Sequence, residues 1–66
     1  MKIGDLVKWT HPRAIDYGLV LEIGEDVPYP GFSRDGEVLI SWFANPEHSG
    51  FYQADHELLE LASEGR

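Results

Sequence analysis

Residues 37–43, Glu-Val-Leu-Ile-Ser-Trp-Phe, constrain this chain more than any other stretch. The run is β-branched and aromatic, holds no Gly or Pro, and is bounded on both sides by turn residues, which is the signature of a strand. At period two, Val38, Ile40 and Trp42 fall on one face and Leu39, Ser41 and Phe43 on the other. Apolar residues on both faces predict an interior position, the central strand of a small curled sheet or barrel.

Length decides what such a strand can be built into. The chain has 66 residues and no Cys. Ordering it costs about 1.5 kcal/mol per residue, so a single small core is marginal. Disulfides and Cys-based zinc sites are excluded, which leaves partner subunits as the remaining support. A homo-oligomer is therefore expected. The N-terminus lacks the apolar run of a signal peptide, and no segment approaches the ~20 apolar residues of a membrane span. These features point to the cytoplasm and away from membranes.

Charge narrows the partners. Five basic against twelve acidic residues give −7 at pH 7, which opposes non-specific binding to phosphate backbones. The imbalance is uneven. Residues 1–20 carry Lys2, Lys8 and Arg13 against Asp5 and Asp16, a balance of +1, and residues 21–66 carry −8. The plain reading is a solubilising acidic surface.

The other elements follow from pattern. Residues 3–9 form a first strand, with a turn or bulge at Gly4-Asp5, then Val7 and Trp9 inward and Lys8 outward. His11-Pro12-Arg13 breaks it. Residues 18–24 form a second strand with two competing registers. Strict alternation buries Leu19, Leu21 and Ile23; a bulge near Glu22 buries Val20 and Ile23. Pro28, Pro30 and Gly31 make 25–36 a long loop, and Asp35-Gly36 turns into the third strand. Asn45-Pro46 opens the next turn. Phe51-Tyr52-Gln53 is a short fourth strand. Ala54-Asp55-His56-Glu57 reads as one helical or 3-10 turn, followed by a last strand at 58–61 with Leu59 and Leu61 inward. The competing reading of 54–64 is an amphipathic helix, from Ala54, Leu58, Leu61 and Ala62. Residues 1–62 thus make one domain, and 63–66 a frayed tail.

This set resembles a known architecture. Gly4-Asp5-Leu6-Val7-Lys8, Gly18-Leu19-Val20-Leu21-Glu22-Ile23, Val38-Leu39-Ile40-Ser41-Trp42 and Glu57-Leu58-Leu59-Glu60-Leu61 occur in the order of a five-stranded SH3-like barrel. The second strand is similar to that of Tudor/KOW-type domains. The whole is similar to small bacteriophage-encoded SH3-like or Sm-like barrel proteins. The resemblance implies an all-β fold and, for a phage protein, residence in the host cell cytoplasm. It carries over no catalytic residue, because its motifs specify fold and not activity.

The reactive residue types form no recognisable site. His11, His48 and His56 show no metal-ligand spacing, and Asp55-His56-Glu57 are sequence neighbours that do not converge on an ion. Ser33, Ser41, Ser49 and Ser63 lie in no nucleophile setting. The glycines are scattered at turns and form no phosphate loop. These observations favour a non-enzymatic chain without metal or cofactor. Aromatics are the surplus. Trp9 and Trp42, inward, read as core. Tyr17, Tyr29, Phe32, Phe43 and Tyr52 are expected near solvent as binding residues. In Tudor-like barrels such aromatics form a cage for a cationic side chain, which Asp16, Glu25 and Asp26 would favour. With Lys8 and Arg13 on phosphates, the same aromatics would stack nucleobases, against the net charge. Leu39 and Phe43 on the outer face, with the edge strands, offer a self-association surface. The expectation is a protein-interaction module, self-associating or taking another protein; the alternatives are a Sm/KOW-like nucleic-acid binder and a virion or assembly accessory.

Overall fold

A computed structural model describes residues 1–25 and 33–63. Five strands and one 3-10 turn make up the fold: β1 (Leu6–Trp9), β2 (Asp16–Ile23), β3 (Glu37–Trp42), the 3-10 turn (Pro46–His48), β4 (Gly50–Gln53) and β5 (Leu59–Ser63). They form one sheet in the order β4-β3-β2-β1-β5. Every pairing is antiparallel. The outermost strands, β4 and β5, are not paired to each other, so the sheet is open. β3 is interior as its sequence requires, but β2 holds the middle place.

The sheet curls strongly. In a flat sheet, strands three steps apart would lie about 14 Å from each other. β1 and β4 are three steps apart, yet the rings of Trp9 and Tyr52 stand 5.7 Å apart, centroid to centroid. The curl encloses Val7, Val20, Val38, Ile40, Trp42 and Leu59, with Trp9, Tyr52 and Ala54 packed against them. Val38, Ile40 and Trp42 are the period-two inward set of β3.

The bulge reading of β2 holds. Val20 pairs with Ile40 and Glu22 with Leu39, so Leu21 is the extra residue. The bulge restores Ile23 to a position opposite Val38. Ile23 nevertheless stays 43 % exposed, because it closes β2 where the sheet runs out. Leu61 was expected inward and is likewise exposed; it pairs with the buried Val7, but β5 is an edge strand with no further strand beyond it among the described residues.

Two local expectations need correction. The 3-10 turn lies between β3 and β4, not before the last strand. Pro46 at its start presets the helical φ, and His48 N and Ser49 N donate to Asn45 O and Pro46 O. Residues 54–58 instead make two successive turns, closed by His56 N to Gln53 O and Leu59 N to His56 O. They share only His56 and their hydrogen bonds are not consecutive, so no helical turn continues, and the amphipathic-helix reading fails with them because Leu59–Ser63 is paired to β1. Ser63, read as the start of the tail, closes β5 opposite Leu6. Residues 64–66 lie outside the described set.

Gly18 permits the tight approach of β2 to β3. A Cβ there would lie 2.7 Å from both Ile40 Cγ2 and Trp42 Cε3, and 2.8 Å from Ser41 O. The last is backbone and cannot rotate away. Gly18→Ala is therefore expected to cost about 1–3 kcal/mol, the usual range for overpacking. A urea midpoint unchanged from the parent protein would contradict this packing.

Candidate functional site

The curl leaves a cleft at one end of the sheet. Its floor is Trp9 from β1, Trp42 from the end of β3 and Tyr52 from β4. Arg13, Ala14 and Ile15 of the β1–β2 connection make one wall, and Asn45 and His48 the other. Asp16 lies at the base. The enclosed volume is about 330 Å³, at the lower end of the range for small-ligand sites.

The three floor rings hold one another in place. Trp9 and Trp42 meet edge to face at 6.0 Å, and Trp42 and Tyr52 at 5.6 Å, within the range in which such pairs add about 0.5–1.5 kcal/mol each. His56 meets Trp9 in a tilted ring contact at 4.8 Å, while its Nδ1 accepts from Leu58 N. The Tyr52 hydroxyl donates to the backbone oxygen of His48, tying β4 to the 3-10 turn. Trp42 N donates to Ser49 Oγ across the same hairpin. With the rings in mutual contact, the floor is a continuous apolar ledge rather than an open cage.

Asp16 fixes the wall. It is 6 % exposed. Its Oδ1 accepts from Tyr17 N at 2.7 Å and Ala44 N at 3.0 Å, and its Oδ2 from Asn45 N at 3.0 Å and Asn45 Nδ2 at 3.1 Å. Desolvation is the largest single influence on the carboxyl and pushes its pKa up. The hydrogen bonds from Ala44 N, the Asn45 side chain, Tyr17 N and Asn45 N together outweigh it and hold the group below the ordinary 3.8. Asp16 is thus an ionised carboxylate whose acceptor positions are filled.

The sequence-expected residues fall in separate places. Tyr52 and Arg13 belong to the cleft. Tyr17 pairs with Lys8 across the β1–β2 ladder, and the Lys8 ammonium lies 5.9 Å from the Tyr17 ring centroid. Phe43 follows β3, donates its N–H to Tyr17 O and is 59 % exposed. Tyr17 is exposed while its neighbours Asp16 and Gly18 are buried, so Tyr17 and Lys8 occupy the sheet face opposite the core. Tyr17 and Phe43 therefore do not join Tyr52. Tyr29 and Phe32 lie outside the described residues. Trp9 and Trp42 were read as core alone; they are core on one side and cleft floor on the other. Asn45, His48 and the latch role of Asp16 carried no local signal, because the Asp16 bonds to Ala44 and Asn45 span 28 and 29 residues.

Among the described residues no cluster of three or more His, Cys, Asp or Glu side chains is placed to hold a metal ion. Nor is any helix among them long and apolar enough to cross a membrane. A scan against protein-family models finds no match, and searches of curated proteins and of solved structures also return none.

Proposed function

We propose that this chain is a non-enzymatic protein-interaction module that takes a short segment of a partner protein into the Trp9–Trp42–Tyr52 cleft. We also propose that its sheet is the half-closed form of the SH3-like barrel it resembles; the meander β1 to β4, the return of β5 to β1 and the Trp9–Tyr52 contact support that reading.

One observation carries the functional reading. Three preordered aromatic rings line a cleft sized for one or two side chains, Trp9 and Tyr52 half-buried and Trp42 buried beneath them. Rigid aromatics give contact area at small entropic cost, which is why they dominate the energetics of binding sites. Around them, among the described lining residues, there is no Ser, Thr, Cys or Lys to act as a nucleophile. Asp16, the carboxylate there, has its acceptor positions filled by hydrogen-bond donors and is not poised as a base.

The test uses the chain's own chromophores. Both of its tryptophans line the cleft. A displayed random-peptide library is panned against the immobilised protein, and the enriched peptides are titrated while the Trp9 and Trp42 indole N–H resonances are followed. Enriched peptides are expected to shift both indoles. Peptides that bind and leave both indoles unmoved, or a library that yields no enrichment, would overturn the reading.

A further inference from the structure

We infer that the segment held in the cleft is acidic: an apolar or aromatic anchor residue flanked by one or two carboxylates. This inference rests on the cleft being a peptide site, and adds the charge of its ligand.

Several polar groups at the cleft are already committed. The lining carboxylate, Asp16, is saturated by three backbone N–H groups and one side-chain amide. Asn45 Nδ2 is used in that same cluster. Two basic side chains also line the cleft. Arg13 stands on the wall beside Ala14 and Ile15. Only its backbone N–H is engaged, by His11 Nδ1. Among the described residues its guanidinium makes no ion pair, the one pair found being Arg34 with Glu37. His48 engages neighbours through its backbone, accepting from the Tyr52 hydroxyl; among the described residues its imidazole makes no hydrogen bond.

The complementary ligand follows from this. A guanidinium pairs best with a planar carboxylate, to which it donates two parallel hydrogen bonds. A cationic side chain would meet Arg13 at the wall and an Asp16 that offers it no open acceptor position. The floor accepts an aliphatic or aromatic anchor by area alone. A nucleic-acid strand also carries anions and rings, but its affinity comes from neutralising many phosphates. The cleft supplies one permanent cation, inside a protein of net charge −7. One or two carboxylates match that supply, and a polyphosphate does not.

The experiment uses the full chain and three capped peptides that share a central Phe. The first has Glu on both sides of it, the second Gln and the third Lys. A single-stranded oligonucleotide is the fourth probe. Binding is read from the Trp9 and Trp42 indole resonances at low and moderate ionic strength. The Glu peptide is expected to bind about fivefold tighter than the Gln peptide at low salt, in line with one partly exposed ion pair, and the gap should narrow as salt is raised. The Lys peptide should be the weakest of the three. In Arg13→Gln the Glu and Gln peptides should become equal, while both still shift the indoles. Arg13 is exposed, so this variant is expected to fold as the parent does. Equal binding of the Glu and Gln peptides by the parent chain, or tighter binding of the Lys peptide or the oligonucleotide, overturns the acidic assignment and leaves the cleft as a peptide site. Indoles that move with none of the probes overturn both.

Discussion

Ile40→Ala is expected to remove about half of the stability of this chain. Ile40 has no exposed surface and heads the largest fully buried side chains. It sits in β3 between Val38 and Trp42 and pairs across the ladder with Val20, and it is one of the six buried apolar residues that form the core among the described residues. Cutting a buried Ile to Ala typically costs about 2–5 kcal/mol, the spread reflecting how far the surroundings relax into the hole. Here relaxation is limited, because the curl of the sheet is itself held by rings that rest on Trp42. Native stability runs at roughly 0.05–0.15 kcal/mol per residue, hence on the order of 3–10 kcal/mol for a chain of this size. The loss is a large share of that total. Far-UV circular dichroism and a urea titration measure it. Ile40→Val, which removes one methyl group and should cost about 0.5–1.5 kcal/mol, gives a readable midpoint even if the alanine variant has none. An alanine variant within 1 kcal/mol of the parent would mean the core is not centred where β3 places it.

The second large effect is expected at Asp16. Asp16→Ala strips the acceptor from Tyr17 N, Ala44 N, Asn45 N and Asn45 Nδ2 together. Hydrogen bonds to an ionised group are worth about 1.5–3 kcal/mol each, and their loss leaves donors to find water instead. Tyr17 and Ala44 are exposed and Asn45 half-buried, so water reaches some of the freed donors, and a total of about 3 kcal/mol is expected. The segment at Ala44 and Asn45 should loosen, and with it the wall that carries His48. Asp16→Asn keeps one acceptor but turns an amide donor toward backbone N–H groups, and should recover less than half of the loss.

The pH dependence has a definite sign. The folded-state pKa of Asp16 is lowered, so the folded protein binds this proton less readily than the unfolded chain. Its contribution is complete above the unfolded value near 3.9 and disappears as pH falls through the lower folded value. Stability of the parent minus that of Asp16→Asn, measured by urea between pH 2 and 6, should shrink on the acid side of pH 4. Parallel curves across that range would show that the carboxylate is not the latch.

Much of the scaffold is legible in the linear chain. β3 announces itself because its inward set, Val38, Ile40 and Trp42, obeys a period that any covered strand must obey. The turns at Gly4-Asp5, Asp35-Gly36 and Asn45-Pro46 are written in residues whose backbone preferences are local, and Gly4 and Gly36 do take positive φ. The cleft is another matter. Its aromatic floor was split between two expectations, Trp9 and Trp42 as core and Tyr52 as surface, since pattern alone assigns a side chain one environment. Tyr17 and Phe43 were grouped with Tyr52 because all are aromatic; their opposite placement follows from the side on which each strand presents them. The helical turn was assigned to 54–57 because Asp55 suits an N-cap, whereas Pro46 won by its preset φ.

Period and turn chemistry are properties of neighbouring residues, so the extended segments, their inward faces at β1 and β3, and the acidic balance could be read without coordinates. What tertiary structure alone decided is the Leu21 bulge, the exposure of Ile23 and Leu61, the carboxylate of Asp16 reaching residues 44 and 45, and the meeting of Trp9 with Tyr52. Each of these depends on how far the sheet bends and where its edges fall, which are set by packing among strands distant in sequence.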